Sequence, residues 1–226
     1  MHQHIVRAFD KEIEVLKKKI LLLAKKCEQQ LSKAVDAFNA MDADLARAVV
    51  EKDRIINELH WDIEEEAVTF IARRQPIAVD LRQLLSMMKI AGELERIADY
   101  AANFSKRVIR LNIPPSEVPA DLIVEMAKVC QVMIHEAMEA FLSLDVEKAR
   151  QVWQKDDKID TMFAKMVTLV QSQMQKNVIG VQDGTGLIFM GRCCERIGDH
   201  ITNMAENIYF IKTGQNYYGS DGDETE

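Results

Sequence analysis

Two carboxylates stand four residues apart in Glu95-Arg-Ile-Ala-Asp99, and one hundred positions later the spacing returns in Glu195-Arg-Ile-Gly-Asp199. Four residues is just over one turn of α-helix, so each pair shares a helix face. Asn103 and Asn203 carry the two stripes a further turn. Upstream, Asp53 and Asn57 are also four apart, as are Asp156 and Asp160. Carboxylate and amide oxygens gathered at one level suit a hard cation such as Mg, Mn, Fe or Ca, and they supply no soft donor. An isolated Glu-x-x-x-Asp is more often solvated surface charge. Its appearance twice in one chain favours a ligand role.

The elements that must position these groups are helical. The 226 residues are 48% hydrophobic, with only 9 Gly, 4 Pro and 6% aromatics, a composition that favours an all-α fold. Ile13, Leu16, Ile20, Leu23, Cys27, Leu31, Ala34 and Phe38 step by three and four along one face of a first helix, 5–40. Asp42 is placed to cap a second helix over 45–73, which Gln75-Pro76 ends, and a third runs over 77–111. NIPPSEVP, 112–119, holds three of the four prolines and divides the chain almost in half. Helices over 120–143, 146–176 and 187–213 repeat the plan, with Asp145 as a cap and the glycine-rich 177–186 as a turn. The divisions are a first repeat 1–112, a linker 113–119, a second repeat 120–214 and an acidic tail 215–226, expected to be disordered.

The halves match residue by residue. At a shift of 103, Phe38, Asp42, Ala46, Arg47, Val49, Lys52, Asp53 and Ile56 lie over Phe141, Asp145, Ala149, Arg150, Val152, Lys155, Asp156 and Ile159. The predicted architecture is two tandem three-helix bundles. Residues of antiparallel neighbours meet when they are equidistant from the turn between them. Asp53 and Glu95 centre on position 74, beside Gln75-Pro76, and Asp156 and Asp199 centre on the 177–178 turn. The acids of each half therefore sit at one height.

Several functions are disfavoured. A net charge of −7 argues against a nucleic-acid reader, which carries a basic surplus. The N-terminus is too charged for a secretory signal, and no apolar run reaches the ~18–20 residues that span a bilayer. A cytoplasmic protein is expected, one that reaches membranes only through partners. No Glu-x-x-His marks a ferritin-type di-iron enzyme, and Val181-Gln-Asp-Gly-Thr-Gly-Leu187 lacks the Lys-Ser/Thr of a P-loop. A binding module is favoured over an enzyme. A scaffold without metal and a di-metal carboxylate enzyme stand as alternatives. Cys27, Cys130, Cys193 and Cys194 are read as reduced core thiols, the methionines as core filler and His200 as a peripheral ligand or an exposed helix residue. Arg73, Arg74 and Arg82 surround the Gln75-Pro76 turn, as a solvated helix end or as a partner docking point.

DLRQLLSMMKIAGELERIADYAANF (80–104) and GRCCERIGDHITNMAENIYFIKTG (191–214) together resemble the paired signatures of the PhoU family of phosphate-transport regulators. AFDKEIEVLKKKI resembles the family's first helix and ARRQPIAVDLR its second turn, so the likeness spans about 5–214. It implies a duplicated three-helix fold with metal ions or clusters on the E-x-x-x-D surfaces, the ion being divalent or trivalent: Mg, Mn, Fe or Zn. It further implies a cytoplasmic negative regulator. Its expected partners are the ATPase subunit of the phosphate ABC transporter (PstB-like) and a sensor histidine kinase (PhoR-like), with homodimers possible. Ala98 departs from the family's usual glycine, present here as Gly198, which puts the first site in question.

Overall fold

The computed structural model describes residues 2–112 and 119–217, with residues 2–10 as backbone only. They form helices α1 (His2–Ala40), α2 (Ala43–Arg74), α3 (Ala78–Val108), α4 (Ala120–Ser143), α5 (Val146–Gln154), α6 (Asp156–Gln175) and α7 (Val181–Thr213). The expected all-α duplication is present: α1–α3 make one three-helix half, and α4–α7 make the other. Most of the expected linker (113–118) and tail (218–226) lies outside the described residues.

Both expected N-caps form. Asp42 accepts hydrogen bonds from the amides of Asp44 and Leu45 at 2.9 Å, and Asp145 accepts one from Lys148 at 3.0 Å. These bonds satisfy donors that a helix start otherwise leaves unpaired. Asp42→Ala should therefore cost about 1 kcal/mol, read as a lower urea midpoint with unchanged slope. At the other end of α2, Gln75 adopts the left-handed conformation (φ 49°) and its amide bonds back to Ile71, with Pro76 barring continuation.

Two boundaries differ from expectation. The helix expected over 146–176 is divided at Lys155, where the chain tightens to i→i+3 bonds: Lys155 N–H to the Val152 carbonyl at 3.1 Å and Lys158 N–H to the Lys155 carbonyl at 3.2 Å. The last helix begins at Val181, six residues early, so Gly184 and Gly186 are helical rather than turn residues. Gly184, Gly191 and Gly198 recur every seven residues and open one stripe of α7 to α6. A Cβ on Gly184 would lie 2.7 Å from Met174 Cγ, and one on Gly191 would lie 2.8 Å from Met166 Sδ.

The two halves share one continuous core rather than standing apart. The most extensive pairing joins α3 to α7, antiparallel along their whole length. Arg82 Nε donates to the Ile211 carbonyl (3.2 Å) at one end, and Asn112 N–H donates to Asp183 (3.0 Å) at the other. Between them Arg107 lies 4.5 Å above the Phe189 ring. Within each half the duplication extends to the thiols: Cys27 Sγ bonds the Leu94 carbonyl, and Cys130 Sγ bonds the Cys194 carbonyl. All four cysteines are free and buried, and burial raises each thiol's pKa. Among the described residues no helix is long and apolar enough to cross a membrane.

Candidate functional site

Equal height holds in both halves. In the first, Gln30 of α1 reaches between α2 and α3, and its Nε2 donates to Asp53 Oδ1 at 2.9 Å and to the Ala98 carbonyl at 3.0 Å. Asp53 thus lies level with the stretch between Glu95 and Asp99. In the second, Asp156 packs directly on Gly198, between Glu195 and Asp199. A Cβ on Gly198 would fall far inside contact distance of Asp156 Oδ1 and 3.1 Å from Ile159 Cδ1.

The second half is the more strongly charged. Burial pushes the Asp156 carboxyl up to about 7, helped by the negative charges of Asp160, Asp199 and Glu195. Burial and Asp199 raise Asp160 and Glu195 as well, with Arg192 opposing the shift in both. Arg192 pairs with Glu195, and Arg196 NH1 donates to Asp199 Oδ2 at 3.0 Å. The arginines thereby offset part of the acidic charge. In the first half Arg96 lies 3.6 Å from Glu95.

Three buried oxygens accept no hydrogen bond: Asp156 Oδ1, Glu195 Oε2, which faces Arg196 Nε only at 3.7 Å, and, in the first half, Asn57 Oδ1. Buried acceptors without donors are costly, and a cation would satisfy them. The donor set is oxygen only, as a hard ion requires. As they stand, no three His, Cys, Asp or Glu side chains among the described residues are gathered as an ion-holding group. Capture would therefore need side-chain turning, with the carboxylates exchanging their arginine partners for the ion.

A folded-state pKa above the ordinary aspartate value means that the folded protein binds this proton more tightly than the unfolded chain does. Asp156 therefore favours folding most at low pH, and its contribution falls as pH rises from about 4, the ordinary aspartate value, through about 7. In chelator, the urea midpoint should be lower at pH 8 than at pH 5.5, and Asp156→Asn should reduce that difference.

Other expected site residues lie elsewhere. Asn203 turns to α3 and donates to Glu93 Oε2 at 3.2 Å, while Asn103 accepts from Lys106 at 2.9 Å. Both turn away from the carboxylates of their stripe, because each step of four residues rotates the stripe by about 40°. His200 Nδ1 lies 2.6 Å from Glu93 Oε2, and its ring rests 5.5 Å from that of Tyr100, so it joins α7 to α3. Arg73 and Arg74 share Glu12, each at 2.8 Å, while Arg82 serves the end of α7, so the three do not converge on one point. Sequence reading passed over Gln30, Glu93 and Arg192. Gln30 carried a signal: at the shift of 103 its counterpart is Met133, an amide against a thioether.

The chain resembles proteins of one kind throughout. The PhoU domain pattern matches it twice, over 20–108 and 123–208. The Rhizobium meliloti phosphate-specific transport system accessory protein PhoU homolog is 34% identical over 216 residues, covering 94% of this chain and 90% of the relative. The Escherichia coli accessory protein PhoU is 30% identical over 224 residues, covering 99% and 93%. The crystal structure of the phosphate transport system regulatory protein PhoU from Streptococcus pneumoniae superposes with a TM-score of 0.87 at 27% identity, over 93% of this chain and 99% of that one. PhoU from Pseudomonas aeruginosa gives 0.85 at 32% identity, over 92% and 100%. With the pattern matched in both halves and near-complete relatives at this identity, the chain belongs to the PhoU family.

Proposed function

We propose that this protein is a cytoplasmic negative regulator of phosphate uptake and phosphate-starvation signalling. It acts by contact rather than by catalysis. Its partners are the ATPase subunit of the phosphate ABC transporter and a sensor histidine kinase. The observation that carries this reading is the doubled domain, aligned end to end with relatives that are named accessory and regulatory proteins of phosphate transport. A cation at the duplicated acidic faces belongs to the same reading. Asp156, Asp160, Glu195 and Asp199 would hold it in the second half, and Asp53, Asn57, Glu95 and Asp99 are their counterparts. The buried, unbonded oxygens of Asp156 and Glu195 support it. When bound, the ion would neutralise clustered charge and give a partner a face of altered potential. Regulation follows if the docked and free states differ in their affinity for the ion or the partner.

The test is genetic. Cells lacking this protein should take up labelled phosphate faster than cells that have it in phosphate-rich medium, and the wild-type chain should restore the restraint. Unchanged uptake on deletion would contradict the proposal.

A further inference from the structure

The two faces are copies, yet, besides Asn57 standing where the second half has Asp160, their centres differ in two further residues, and both of these differences act in the same direction. In the first half the centre is filled from within. Gln30 is only 6% exposed, and its amide nitrogen is shared between Asp53 Oδ1 and the Ala98 carbonyl. An amide N–H is a protein's own substitute for a cation at a carboxylate oxygen. At the equivalent position of α4 stands Met133, fully buried, whose thioether has no proton to donate. The aspartate of the second half, Asp156, accordingly keeps a buried Oδ1 that accepts nothing.

The second difference is steric. Gly198 leaves open the space that Asp156 Oδ1 enters, and a methyl there would displace that oxygen. The first half has that methyl, on fully buried Ala98. Asp53 is satisfied by Gln30 beside a helix that carries a methyl at Ala98, while Asp156 lies against the bare backbone of Gly198 with its Oδ1 unsatisfied.

We infer that the duplicated faces have divided their roles: the second half holds the cation, and Gln30 with Ala98 closes the first half to it. Each chain takes one ion. This rests on the cation reading above, and the test separates the two. Mn(II) titration at pH 7.5, followed by the electron paramagnetic resonance of free ion, should give one ion per chain. Asp156→Asn should give none. The double variant Gln30→Met with Ala98→Gly, its fold verified by circular dichroism, should give two. A second measurement needs no change to the first half. With saturating Mg(II), the side-chain NH2 resonances of Gln30 in the wild-type protein should stay in place, because the ion does not displace that amide. Two ions in the wild-type chain, a folded double variant still binding one, or Gln30 resonances that move on loading would each overturn the inference. No ion bound by the wild-type chain would overturn the cation reading itself.

Discussion

Gly198→Ala should weaken cation binding about 10- to 100-fold, the range seen when the groups that hold a ligand in place are lost, while the chain stays folded. The added methyl meets Asp156 Oδ1, and it comes within 3.1 Å of Ile159 Cδ1. Rotating Asp156 outward relieves the first contact at the expense of the site. Moving α6 relieves both, at the expense of the packing that seats Ile159 and Met166 in the core. Overpacking of this kind costs about 1–3 kcal/mol. Alanine returns about 1 kcal/mol of helix propensity. The net stability change is small, and calorimetric titration with Mn(II) should register a large loss of affinity beside a melting temperature shifted by a few degrees. An unchanged affinity would show that Asp156 does not need its place against the α7 backbone.

Phe104→Ala should cost about 3–5 kcal/mol, among the largest stability losses expected of a single truncation here. Phe104 is fully buried and meets Phe38 edge to face, with ring centroids 5.9 Å apart. Truncation removes the transfer free energy of a benzyl group, leaves a cavity and forfeits the ring pair. For a chain of this length each kcal/mol moves the melting temperature by roughly 2–4 °C, so a fall on the order of 10 °C is expected. Because the core is continuous across the α3–α7 seam, both halves should melt together in calorimetry. Two separate transitions would indicate halves that fold independently.

Local chemistry was legible in the sequence where a residue type has one strong local role. Asp42 and Asp145 read as caps and are caps, because a short carboxylate after a break serves unpaired amides. The height match of Asp53 with Glu95, and of Asp156 with Asp199, followed from counting outward from a turn. The stripe itself did not carry to Asn203, since each four-residue step rotates it by about 40° and Asn203 faces α3. Gly184 and Gly186 were read as turn formers, but Gly184 is small so that Met174 can fit against α7. The residue type is the same in either role, and only the neighbouring helix distinguishes them. The antiparallel seam of α3 and α7 had no signal at all. Both helices are apolar over a broad face, and no spacing within one helix states which distant helix will cover it. Arg82 illustrates the consequence: near Arg74 in the chain, it serves the end of α7 instead. The first-half centre was legible in part. Ala98 stood out against Gly198, whereas Gln30 lies on another helix, and its importance needed the third dimension.

The most direct test of the account is capture of the purified phosphate-transporter ATPase subunit by this protein, with and without Mn(II), repeated with Glu195→Ala and Asp199→Ala combined. Capture that requires both the ion and the two acids is the predicted result. Failure to capture that subunit under any of these conditions would contradict it.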